Sequence, residues 1–215
     1  MSAREEILGR VRAGVGKDDF AARRAAAELR LMNRPLGPQP RLGEDLAARF
    51  MAKAESLSST LDRVATLAEV PAAVARYLAQ HGLGDEAVAT DEAAALDWSA
   101  SGLRVTGRAA VDADRVGITG CFCAIAETGT LLLLSGPTSP ASVSLLPETH
   151  IAFIPASRIL GTMEAAFDRL RIEQGSLPRA LNFISGPSRT GDIEQTIVLG
   201  AHGPCRVHLI LVEQA

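Results

Sequence analysis

Two loops of this chain carry side chains suited to gripping or activating a small molecule. The later one runs Leu181-Asn182-Phe183-Ile184-Ser185-Gly186-Pro187-Ser188-Arg189-Thr190-Gly191-Asp192-Ile193-Glu194. An apolar run stops at a tight turn, then hydroxyls, one arginine and two acids precede a second apolar run, Ile197 to Leu199. The pattern predicts a strand, a polar loop and a helix over Asp192 to Leu199. In open α/β sheets such loops lie at the carboxyl ends of strands, where ligands bind. A helix amino terminus there would offer unpaired N–H groups to an anion, and Arg189 would add a planar fork of donors. Ser185, Gly186, Ser188, Arg189 and Thr190 are therefore candidate binding residues. The same pattern also fits a capped helix start, with Ser188, Thr190 or Asp192 as cap and Asp192 and Glu194 favoured by the helix dipole.

The earlier loop is Ile125-Ala126-Glu127-Thr128-Gly129-Thr130, directly before Leu131 to Leu134 and a second Ser-Gly-Pro turn, Ser135-Gly136-Pro137. Glu127 has no oppositely charged neighbour within a few residues. Buried, its carboxyl would titrate high and could serve as acid, base or nucleophile; exposed, it is an ordinary turn glutamate. It is the candidate catalytic residue, with Thr128, Gly129 and Thr130 as binding residues beside it. An antiparallel hairpin around Gly129 suits the small residues there. His202, in Gly200-Ala201-His202-Gly203-Pro204, is expected at a helix exit, where it either meets a ligand or caps the helix. His150 and His208, beside or within apolar runs, read as structural.

Three blocks, Ile125 to Thr130, Ser144-Leu145-Leu146-Pro147-Glu148-Thr149-His150-Ile151, and Ile184 to Glu194, followed by Val198 to Pro204, resemble the LUD domain family and more closely the lactate utilization protein C family. The resemblance implies a fold related to glucosamine-phosphate deaminases, ribose-phosphate isomerases and coenzyme A transferases. It further implies an accessory subunit, without a redox cofactor of its own, that works beside two iron–sulfur partner proteins in oxidising L-lactate to pyruvate. The alternative function is a small-molecule enzyme or sensor that binds an anionic ligand at the Glu127 loop and the Ser185 to Glu194 loop.

Composition sets bounds on these readings. The chain has 215 residues, 47% of them hydrophobic, enough for one sizeable core. A net charge of −3 argues against a nucleic-acid footprint, which needs a concentrated basic face. The charged start Met1-Ser2-Ala3-Arg4-Glu5-Glu6 is unlike a secretory signal, and no apolar run approaches the ~20 residues that span a bilayer, so a cytoplasmic location is expected. Cys121, Cys123 and Cys205 are too few for a disulfide framework. Cys-x-Cys in a strand would point both thiols to one face, awkward for a metal; small buried thiols are expected, with no metal and no cofactor. No glycine-rich nucleotide motif occurs.

Positioning these loops requires alternating strands and helices. Residues 1–58 read as a helical arm with a breaker at Asn33 to Pro40, able to dock on the domain, a partner or a second copy of the chain. Residues 59–215 read as an α/β domain. Strands are expected at Arg63–Leu67, Ala87–Ala89, Leu103–Thr106, Arg115–Thr119, Thr130–Leu134, Ile151–Ile154, Leu181–Ile184 and Arg206–Val212, and helices at Val70–Gln80 and Ser157–Arg169. That alternation implies a three-layer, mainly parallel α/β sheet.

Overall fold

Contacts divide the chain into two units, Met1–Gln39 and Pro40–Ala215. The computed structural model describes residues 2–15, 19–33, 37–193 and 196–214. The first unit holds two helices, α1 (Ala3–Val15) and α2 (Phe20–Asn33), with no buried residue in either. The second unit begins with α3 (Leu46–Ser56), β1 (Thr60–Thr66), α4 (Val70–His81), β2 (Glu86–Ala89), α5 (Asp91–Ala94), β3 (Arg104–Gly107) and β4 (Val116–Thr119). It continues with β5 (Cys123–Ile125), β6 (Thr130–Leu134), α6 (Ser142–Leu145), β7 (Thr149–Pro155), β8 (Ile159–Leu160) and α7 (Met163–Gln174). It ends with β9 (Leu181–Ile184), β10 (Arg189–Ile193), β11 (Thr196–Leu199) and β12 (Arg206–Gln214). By contact, α3 belongs to this unit, although the sequence groups it with the arm.

Six strands form the central sheet in the order β1-β12-β7-β4-β2-β3, and every pairing is parallel. Its middle strands are buried on both faces, which is why they read as unbroken apolar runs. Ile151 and Phe153 of β7, with Ile210 and Val212 of β12, face a core completed by Val70, Val74, Tyr77 and Leu78 of α4. Ala152, Ile154, Leu209 and Leu211 face the other way, onto Phe50, Met51 and Ala54 of α3 and Leu131 and Leu133 of β6. The second face is thus shared by a helix and a second sheet of order β8-β5-β6-β9. The far side of that small sheet packs Cys123, Ile125 and Leu132 against Ala166 of α7.

Local chemistry sets the helix ends. The Asp45 side chain accepts from the Ala48 N–H at 2.8 Å and starts α3. Pro71 lies in the first turn of α4, and Gly82 at φ 61° closes it. The helix expected from Ser157 begins later: Ile159 and Leu160 pair with β5 instead, and the Thr162 hydroxyl accepts from the Ala165 N–H to open α7. The helix expected over Asp192 to Leu199 is absent. Arg189–Ile193 and Thr196–Leu199 form an antiparallel hairpin, in keeping with the β-branched residues Thr190, Ile193, Thr196, Ile197 and Val198, which favour extended backbone. No described helix is long and apolar enough to cross a membrane.

Two histidines are sealed into the sheet. His150 is 0% exposed, pairs through Nε2 with the Thr119 hydroxyl at 2.9 Å, and leaves Nδ1 without a partner among the described residues. His208 stacks on Tyr77 at 3.9 Å between ring centres and pairs through Nδ1 with the Thr60 hydroxyl. Burial pushes both imidazoles down to about 4, from 6.5. The folded state therefore keeps both neutral while the unfolded chain binds protons below about pH 6.5. Stability should be full above that pH and fall as pH drops towards 4, by on the order of 3 kcal/mol per histidine at the acid limit. Urea midpoints measured from pH 7.5 to 4.5 would show the decline, and His208→Gln should flatten part of it; a level profile would contradict both assignments.

Candidate functional site

The two loops singled out in the sequence come together at one end of the small sheet. β5 and β6 form the hairpin expected around Gly129, which takes φ 67° and donates its N–H to the Ile125 carbonyl at 2.9 Å. Because β6 and β9 run antiparallel, the start of β6 meets the end of β9, and the Thr130 and Ser185 hydroxyls hydrogen-bond at 2.7 Å. Glu127 is half-buried and Thr128 exposed, and the Glu127 N–H donates to the Gly161 carbonyl at 3.0 Å. Ser188 is tied by backbone bonds to Pro204 and Gly200, which brings the His202 loop alongside; His202 itself is exposed.

The carboxyl end of α3 organises this cluster. Arg189 Nη2 donates to the Leu57 carbonyl at 2.9 Å and to the Ser58 hydroxyl at 2.7 Å. A cation there complements the partial negative charge of a helix end and satisfies a carbonyl that the helix leaves open. Gly129 and Gly186, both at positive φ, lie so close to this end that a Cβ would collide with the backbone of Lys53 and Ala54 in one case and with the Leu57 carbonyl in the other. The helix amino terminus expected beside Arg189 does not exist, since β10 begins there. Asp192 therefore opens no helix and His202 leaves none, while Glu194 lies outside the described residues. The two Ser-Gly-Pro turns fall at opposite ends of the small sheet, one after β6 and one after β9.

A second site, invisible in the loops, lies at the carboxyl ends of the central strands. The chain leaves β2 by α5, on the α4 face, to reach β3 on one side. It leaves β4 by the small sheet, on the opposite face, to reach β7 on the other side. Where neighbouring connections diverge in this way a crevice opens outside the strand ends. Here it is a cavity of about 310 Å³, with Thr90 and Glu92 after β2, Gly120 and Cys121 after β4, and Arg158 after β7 on its walls.

The electrostatics of this cleft are mixed. A Cβ on residue 120 would strike the Glu92 carboxylate, so the glycine is what lets that side chain rest on the end of β4. Desolvation holds the Glu92 carboxyl above the usual carboxylate range, against the opposing pull of Arg158. Arg158 spends Nη1 on Glu173, which also takes Arg169, and it lies over the Phe122 ring. Burial raises Cys121 and pushes Cys123 up to about 11, so neither is a ready thiolate. The two thiols do not share a face: Cys123 packs towards α7, and Cys121 towards the core between the sheets. The cleft can receive an anion at Arg158 and a hydrogen-bonding group at Thr90 and Glu92.

The fold and this crevice define an α/β protein with a parallel sheet and a ligand-sized opening at its strand ends. The sequence profile of the LUD domain matches residues 46–212, and the chain belongs to that family. A protein named Lactate utilization protein C from Halalkalibacterium halodurans is 46% identical over 101 residues, which cover 46% of this chain and 44% of that protein. The protein of the same name from Bacillus subtilis is 45% identical over 100 residues, 45% of this chain and 42% of that one. The one from Exiguobacterium is 37% identical over 142 residues, 64% of this chain and 61% of its own length. The chain thus matches less than two thirds of each of these relatives. A crystal structure of a DUF162 family protein from Deinococcus radiodurans has a similar fold, with a TM-score of 0.60 at 24% identity, covering 80% of this chain and 99% of that one.

Arg189→Ala should lower stability by about 1 kcal/mol through the lost helix-end bonds. Gly186→Ala should cost more, ~2–4 kcal/mol, because it combines a strained φ with a backbone collision. Thermal melts of the two variants test the order; a Gly186→Ala protein as stable as the parent would show that α3 does not depend on this approach.

Proposed function

We propose that the protein acts in lactate utilization, as a cytoplasmic subunit without a redox cofactor of its own, beside two iron–sulfur partner proteins that oxidise L-lactate to pyruvate. The supporting observation is the 46% and 45% identity to proteins named Lactate utilization protein C over about 100 residues. Oxidising lactate releases two electrons and two protons. In this reading the partners' clusters carry the electrons, and this chain contributes binding surfaces and positioned side chains. A second reading, an enzyme or sensor for an anionic molecule at the Glu127 and Ser185–Glu194 loops, draws on the Thr130–Ser185 hydrogen bond that joins them. In that reading Glu127 supplies acid–base or nucleophilic chemistry, and Ser185, Ser188, Arg189 and Thr190 hold the anionic group.

The test is to purify the chain alone and with the two partners, and to follow L-lactate-dependent dye reduction in each. Turnover only with all three proteins supports the accessory role. Equal turnover by the partners alone would remove it. A loss of turnover in Glu127→Gln, with the melting temperature unchanged, would favour the second reading.

A further inference from the structure

The cleft between the ends of β2, β4 and β7 is built from residues that neither loop supplies. It lies at the opposite end of β6 from Glu127, since Leu133 and Leu134 line it while Thr130 touches Ser185. Thr90 is 3% exposed, lies on the wall of this cleft, and its hydroxyl oxygen has no hydrogen-bond partner among the described residues. A buried hydroxyl left unmatched costs about 1–3 kcal/mol, and such groups call for an explanation in a folded protein. The short helix that follows does not use it, since no side-chain bond from Thr90 caps α5.

Across the cleft, among the described residues, Arg158 hydrogen-bonds to protein through Nη1 alone, to Glu173. Its remaining N–H groups form the planar pair that suits a carboxylate. Between the two walls Gly120 has no side chain, and the room this leaves at the end of β4 holds the Glu92 carboxylate, which thereby lies on the cleft wall beside Thr90's strand end.

We infer that this cleft binds a small carboxylic acid carrying oxygen on its second carbon, a 2-hydroxy or 2-oxo acid, with Arg158 on the carboxylate and Thr90 on that oxygen. The site rests on the geometry; the choice of this acid among anions rests on the lactate reading above. Glu92, whose carboxyl is held above its ordinary range by desolvation, stands beside Thr90 as a second hydrogen-bonding group for the same oxygen. The cavity of about 310 Å³ falls at the small end of ligand pockets and leaves room beyond a two-carbon head group.

Calorimetric titration of the full chain with pyruvate, L-lactate, acetate and inorganic phosphate tests the inference without any partner protein. Pyruvate or L-lactate should bind saturably, about 10-fold tighter than acetate, which lacks the second oxygen. Arg158→Ala should weaken binding by at least about 10-fold, with partial recovery in Arg158→Lys. Thr90→Val should weaken it about 5-fold while leaving the melting temperature equal or higher, because it deletes an unmatched hydroxyl. That pairing separates a ligand contact from a structural one if Arg158→Ala fails to fold. Saturable binding of neither acid, phosphate binding as tightly as pyruvate, or affinity unchanged in Thr90→Val would overturn the inference. Failure here with lactate turnover still dependent on the chain leaves the subunit role standing; binding without any such dependence leaves the cleft and removes that role.

Discussion

Two strands, β7 and β12, are apolar on both faces, and that double burial is the constraint from which the architecture follows. A parallel pair of this kind needs an apolar layer above and below it. On one side α4 is enough, because Val70, Val74, Tyr77 and Leu78 make a continuous stripe. On the other side the available helix is α3, which has only Phe50, Met51 and Ala54 as fully inward residues. The rest of that face is covered by the small sheet. Short helices draw their stability from what they pack on, and α3 is held at both ends as well, by the Asp45 cap at one and by Arg189 at the other.

The small sheet has a consequence for where chemistry can occur. By filling one face of the central sheet it diverts the connection after β4 away from the one after β2, and the crevice opens between them. Its strands then carry the polar hairpin turn of Glu127 to the far end, against α3. The protein therefore has two polar regions separated by the length of β6. One is knitted into the scaffold by backbone approach, and the other retains an unmatched hydroxyl and a partly engaged arginine.

How much of this was legible depended on whether the information was local. The buried strands announced themselves as apolar runs, α4 by Pro71 and its apolar spacing, and the β5–β6 turn by Gly129. The stretch from Arg189 to Leu199 misled because acids after an arginine and hydroxyls look like a helix start, whereas its five β-branched residues decide the backbone. Arg189 could not be read as the partner of Ser58, 131 residues away. The cleft was illegible for a similar reason. Thr90, Glu92, Gly120 and Arg158 are isolated polar or small residues in separate segments, and only the strand order brings them to one opening.

The position of β12 also governs how the chain can reach this state. It follows every other strand in chain order, yet it pairs with β1 on one side and β7 on the other. Until it arrives, β1 has no neighbour in the sheet and β7 presents an open apolar edge. The pairing of β1 and the covering of that edge of β7 must therefore wait for β12, and pairings such as Thr60 with His208 close a loop of nearly the whole domain. Such long-range closure slows folding and leaves sticky intermediates exposed.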